Sequence, residues 1–273
     1  MPLRDLALTF TTPETARDIA DLLIAVGGAL GVSAIDAPHL VDVVWGCLTS
    51  QPLDGAEREI REWIDAHAGD SDLTVRMAER AVQIVAQISP YVVGQRIADI
   101  GCGDGLVSAA FAPDREVVLT DVVDYVDKRV PIPLVLYGGA GPLPIAPSVD
   151  SSLLLTVLHH AEDPVALFEE TARVTRQRII IIESVVPPSD AESFASEFEF
   201  AAFFDWFYNR VLHKDVPVPY NYNSTNGWTA LFQAHGWQIA NVIDLGRDQP
   251  LVPEHHMLFV LDRGDASRPA LRA

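Results

Sequence analysis

From Gly94 onward, short apolar runs alternate with stretches of helical periodicity, and this alternation narrows the possible folds more than any other feature. The runs are RIADI (96–100), EVVLTD (116–121), PLVLY (133–137), SLLLTVL (152–158) and RIIIIES (178–184). Apolar side chains on both faces of a strand imply burial on both sides, hence a parallel sheet covered by helices. Two later segments, Trp237–Leu245 and His256–Asp262, supply a final antiparallel pair in this reading. The expected class is α/β.

The chain before Gly94 carries no strand pattern. Glu14–Ala29 places Ile19, Leu22, Leu23 and Val26 near a 3.6-residue period, with Thr12 as N-cap and Pro13 in the first turn. Ala37–Leu48, Ala56–Ala68 and a segment from Asp72 to Ile88 repeat the pattern. Residues 1–91 are therefore expected to form a helical N-terminal cap or lid, and residues 92–273 the core. An insertion at about 188–226 interrupts that core. It holds six of the eleven Phe residues between Phe194 and Phe207, beside Trp206 and Tyr208. Such a segment reads as a helix buried through its rings and also as a lid over an apolar substrate; the two are compatible, because a lid must itself be anchored.

Composition removes several partner classes. Nineteen Lys and Arg against thirty-eight Asp and Glu give a formal charge of −19. That field opposes nucleic-acid backbones and anionic lipid. No apolar run reaches the roughly 18–20 residues needed to cross a bilayer. The start, MPLRDLALTF, lacks the apolar core and cleavage site of a signal peptide. Cys47 and Cys102 are too few for a disulfide framework. These features point to a cytoplasmic protein with a small-molecule partner, no nucleic-acid or membrane partner, and self-association left open.

The segment that carries chemistry is Asp99-Ile-Gly101-Cys102-Gly103-Asp-Gly105, placed between a buried strand and the helix-like LVSAAFA. Glycines there let a ligand approach the backbone at a helix N-terminus. A dinucleotide site requires G-x-G-x-x-G/A; counting from Gly101 or Gly103 puts Leu106 or Ser108 at its last position, and neither fits. D-x-G-x-G-x-G does fit, and the chain here resembles class I S-adenosylmethionine-dependent methyltransferases. Asp121 ends the second strand, where that family's acid accepts from the cofactor ribose. LLLTVLHHAEDP (153–164), Leu143-Pro144 and Glu183 resemble the ubiquinone-biosynthesis-like small-molecule branch. The resemblance implies a Rossmann-like seven-stranded mixed sheet with strand seven antiparallel and helices on both faces. It also implies S-adenosylmethionine as cofactor, S-adenosylhomocysteine as product, and a cofactor site at Asp99, Gly101, Cys102, Gly103, Gly105, Asp121, Val122, Thr156 and Leu158. In one place the pattern departs: Tyr137-Gly138-Gly139 stands where many relatives carry an acid for the adenine amino group. Backbone groups or packing around Tyr137 are then expected to hold the ring.

Methyl transfer is an in-line displacement in which alignment supplies much of the rate. A hydroxyl acceptor also needs a base, and imidazole suits that role near neutral pH. The candidates are His159 and His160 after strand four, and His255 at the start of strand seven, with Glu183 to orient an imidazole or bind substrate. Asp248, Gln249 and Glu254 lie in or beside the preceding loop. No i, i+4 pairing of metal ligands is present, so no metal site is expected. The reading is O-methylation of a largely apolar small molecule in secondary metabolism. The alternatives are a methyltransferase fold with other chemistry (a pericyclase or decarboxylase) or a regulatory binder; a nicotinamide oxidoreductase fits the glycine spacing less well.

Overall fold

The computed structural model describes residues 12–146, 148–213, 216–248 and 251–264. The leader expectation on MPLRDLALTF, the loop residue Gln249 and the side chain of Asp248 lie outside them. In chain order the elements are α1 (Pro13–Ala29), α2 (Ala37–Ser50), α3 (Leu53–His67), α4 (Leu73–Ile88), β1 (Arg96–Ile100), α5 (Leu106–Ala109), β2 (Glu116–Asp121), β3 (Leu134–Leu136) and β4 (Val149–Leu155). Then follow α6 (Pro164–Val174), β5 (Thr175–Ser184), α7 (Phe194–Trp206), α8 (Thr225–Ala234), β6 (Trp237–Asp248) and β7 (Val252–Arg263). Every expected strand is present. Thr12 caps α1 as its sequence announced, its hydroxyl accepting from the Thr15 N–H at 3.2 Å with Pro13 next in line.

The chain divides into two compact units. One is helical and comprises the described residues up to Arg80, Val186–Tyr222 and Arg247–His255; the other contains the sheet and comprises Ala81–Val185, Asn223–Gly246 and the residues from His256.

The sheet order is β3-β2-β1-β4-β5-β7-β6. β1 to β5 pair in parallel, and β7 runs antiparallel to β5. This is the expected Rossmann-like mixed sheet. Chain order reverses between β1 and β4, and in such sheets ligands bind outside the carboxyl ends of the strands at that switch. The alternation of side chains makes two cores from one sheet. Ala98, Ile100, Leu154, Ile179, Ile181 and Phe259 face a cluster that includes Phe168, Trp228 and Phe232. Ile97, Leu153, Ile180, Ile182, Leu258 and Val260 face the opposite way, towards Ile84, Ile88 and Phe111. The IIII run of β5 thus feeds both faces, which is why it shows no polar alternation.

In the helical unit, α7 is buried on every side from Glu199 to Trp206. Phe200, Phe203, Phe204, Trp206, Phe207 and Tyr208 join Ile19, Leu23, Leu40 and Ile60 in one apolar cluster. Phe203 lies parallel to Phe207 at 6.1 Å and 6.2 Å from Trp45. Two polar groups on this helix are satisfied locally. Trp206 Nε1 donates to Glu57 Oε1 at 3.0 Å, and the Tyr222 hydroxyl donates to the Asp205 carboxylate. The expected burial of these rings is present in this unit. Phe203→Ala should therefore cost about 3–5 kcal/mol in chemical denaturation; a loss below about 0.5 kcal/mol would be that of an exposed ring instead.

Candidate functional site

The sheet unit assembles its polar groups at the carboxyl ends of β1, β2, β4 and β5. The first part is the turn after β1. Gly101, Gly103 and Gly105 all take positive φ, at 72°, 56° and 72°. At Gly101 the requirement is double, because a Cβ would also sit 2.6 Å from Val157 Cγ1. The N–H groups of Gly101 and Cys102 both donate to the Thr120 carbonyl, which pins the turn to the end of β2.

Asp121 completes that attachment. Its Oδ2 accepts from the Gly103 N–H at 2.9 Å, and its Oδ1 accepts from Val122 N–H at 2.7 Å and Val123 N–H at 3.3 Å. Burial raises the Asp121 pKa above the usual carboxylate value, against the lowering effect of these backbone donors. Asp99, 1% exposed, sits on β1 directly beneath the turn. Its Oδ2 accepts from the Ser108 hydroxyl at 2.6 Å. Its Oδ1 is buried with no hydrogen-bond partner among the described residues. Desolvation pushes the Asp99 pKa up to about 7, opposed by the Ser108 hydrogen bond and assisted by the nearby Asp121 and Asp104 charges. Ser108, the partner of Asp99, was not singled out in the sequence. The signal was present, a hydroxyl inside the otherwise apolar LVSAAFA.

The second part lies after β4. Thr156 adopts φ 59°, rare for a β-branched residue. Its N–H donates to the Ile182 carbonyl at 2.6 Å and its hydroxyl to the Leu155 carbonyl at 2.6 Å. The kink turns the chain into the short turn Leu158–His160 and directs two successive N–H groups at β5. There Glu183, fully buried, accepts from Val157 N–H at 2.9 Å and Leu158 N–H at 2.6 Å through Oε1. Its Oε2 lies 2.6 Å from His159 Nδ1. With the carboxylate as acceptor, Nδ1 carries a proton and donates it to Glu183. His159 is 1% exposed, and the half-buried His160 ring lies 4.1 Å from it.

The remaining expected residues fall as follows. Val122 is exposed beside Asp121, Cys102 is buried in a small apolar cluster with Leu119 and Val130, and Leu158 is fully buried in the apolar core. Leu158 therefore reaches the site through its backbone only. His255 is half-buried on β7, next to His256, which pairs with Ser184 at the end of β5.

The model of a methyltransferase domain family matches residues 98–182, a span from β1 into β5 that holds the glycine turn, Asp99, Asp121 and the turn after β4, and stops one residue short of Glu183. No curated protein matches the chain. Among solved structures, it is similar to the YcgJ protein of Bacillus subtilis, with a TM-score of 0.50 at 16% identity over 69% of this chain and 100% of that one. It is also similar to a SAM-dependent methyltransferase from Thermotoga maritima, with a TM-score of 0.51 at 16% identity over 76% of this chain and 97% of that one. The fold is that of the class I methyltransferases.

The residues present fit the cofactor that this fold implies. Asp99 Oδ1 is a buried acceptor lacking a donor beneath the turn. A Cβ at Gly103 would enter nearly open space, meeting only Tyr125 at 3.9 Å. Val122, Tyr125 and Leu136 remain exposed beside Asp121, apolar surface suited to a heteroaromatic ring.

The Asp99 shift has a measurable consequence. Between about pH 4 and about pH 7 the folded chain holds a proton on Asp99 that the unfolded chain has released. Stability from this group is therefore complete at low pH and falls as pH rises towards 7. The difference in unfolding free energy between wild type and Asp99→Asn should drift against the wild type across that window, by on the order of a few kcal/mol, and level off above it. A difference independent of pH would show that Asp99 titrates normally.

Proposed function

We propose that the chain is an S-adenosylmethionine-dependent methyltransferase of the ubiquinone-biosynthesis-like branch, acting by O-methylation on a largely apolar small molecule. The observation that carries this reading is the buried Glu183–His159 pair beside the glycine turn. Asp121 would hold the ribose hydroxyls and Asp99 a donor of the amino-acid portion, with the turn from Gly101 to Gly105 against the backbone of the cofactor. Bound there, S-adenosylmethionine supplies an electrophilic methyl group.

The chain's own residues do the rest. Glu183 fixes the tautomer and plane of His159 by accepting from Nδ1, so that Nε2 can take the proton of an acceptor hydroxyl. As that proton arrives, the Glu183 charge stabilises the imidazolium. The surroundings favour an apolar acceptor, since Val157, Leu158, Val185 and Met257 all belong to the cluster on the sheet face that bears Glu183. The V-L-H-H sequence at 157–160 supports the branch assignment.

The test is transfer of isotopic label from the methyl donor to a panel of hydroxyl, amine and activated-carbon acceptors. On the best hydroxyl acceptor, His159→Ala should lower kcat by about 10²- to 10⁴-fold while cofactor affinity measured by calorimetry stays the same. Single Ala variants of His159, His160 and His255 that all keep wild-type kcat would remove histidine catalysis and favour an acceptor that is already nucleophilic.

A further inference from the structure

A donor outside the pair is also unsatisfied. Among the described residues the Trp228 indole N–H has no hydrogen-bond acceptor, although the side chain is only 1% exposed. Buried Trp N–H groups ordinarily find a partner, so an unpaired one calls for a specific explanation.

The geometry of the sheet unit locates this donor. Asn223 pairs with Val185 immediately beyond β5, so α8 starts at the carboxyl edge of the sheet. Ser224 caps it, accepting from Gly227 N–H at 3.1 Å, and the helix runs back along the sheet. Phe232 then packs 4.9 Å from Phe168 and 5.4 Å from Phe259. Trp228 lies parallel to Phe232 at 6.2 Å, one turn closer to the edge. Four helical residues rise about 6 Å, close to the roughly 7 Å of two strand residues. On β7 two residues lead from Phe259, which pairs with Ile181, to Met257, which pairs with Glu183. By these rises the α8 backbone at Trp228 comes near the level of Glu183 on the sheet. Trp228 also shares the sheet face, because Ile179, Ile181, Met257 and Trp228 fall in one cluster and Glu183 follows Ile181 by two positions.

We propose that the Trp228 indole N–H is a specificity-determining donor for the acceptor, which must carry a hydrogen-bond-accepting oxygen, such as a carbonyl, next to the hydroxyl that is methylated. The proposal rests on the reading of this edge as the acceptor site. An acceptor held at both His159 and Trp228 is fixed in rotation, and an analogue lacking the second oxygen leaves a buried donor unpaired.

The experiment titrates full-length protein, labelled with ¹⁵N at tryptophan and saturated with S-adenosylhomocysteine. The probes are acetophenone and 2-acetonaphthone, with ethylbenzene and 2-ethylnaphthalene as controls lacking oxygen. Trp228→Phe assigns the indole resonance by its disappearance, and in that variant the ketones should bind about five- to tenfold more weakly while the hydrocarbons bind as before. In wild type the ketones should move the Trp228 resonance downfield and saturably, and the hydrocarbons should not. If neither class moves it, or both move it alike, the proposal is wrong. Saturable S-adenosylhomocysteine binding in the same samples shows that the cofactor reading survives such a failure; absence of that binding removes the reading itself.

Discussion

A carboxylate with no exposure to water has to be surrounded by donors, and Glu183 is surrounded by three from a single neighbouring segment. Leaving such a charge unpaired in the interior would cost several kcal/mol, so the Val157 and Leu158 N–H groups and the His159 ring are held where it needs them. The interaction joins the ends of β4 and β5. It accounts for the left-handed backbone at Thr156, a conformation that costs about 1–3 kcal/mol on its own and persists because the following N–H groups are captured. It also couples the two halves of the site, since the same turn places Val157 against Gly101.

Asp121 plays the corresponding part at the end of β2. Its carboxylate is engaged by the backbone of the glycine turn and of its own loop, so the turn holds its shape through the protein's own contacts. A site built in this way is preorganised, and the ordering cost is met in folding rather than on binding. Asp99 is the reverse case. It retains one oxygen with no donor, and burial raises its pKa.

How much of this was legible depended on whether a feature is local. The five parallel strands were readable because doubly buried strands write their burial as continuous apolar runs, and the glycine turn because only glycine populates its three positive φ angles freely. Asp121 and Glu183 could be named from their places at strand ends. An imidazole partner for Glu183 could be named as well, but the backbone donors could not, since Glu183 meets the N–H of Val157 from 26 residues away and a backbone donor has no residue type to read. The aromatic stretch at 194–207 was ambiguous for a different reason. Sequence shows that its rings avoid water, and only packing decides what covers them; α1, α2 and α3 of the helical unit do. The unpaired donor on Trp228 was not legible at all, because whether an indole N–H finds an acceptor is invisible until the neighbours are placed.

On the proposed reading, the carboxyl ends of β1, β2 and β4 form a nucleoside-cofactor site of the methyltransferase kind. Isothermal titration of the purified protein with S-adenosylhomocysteine, and in parallel with NAD, tests it most directly. The expected result is saturable one-to-one binding of S-adenosylhomocysteine, weakened by a few kcal/mol in Asp121→Ala because two charge-assisted hydrogen bonds to the ribose are lost, and no heat of binding with NAD. No binding of S-adenosylhomocysteine, or an affinity that Asp121→Ala leaves unchanged, would contradict it.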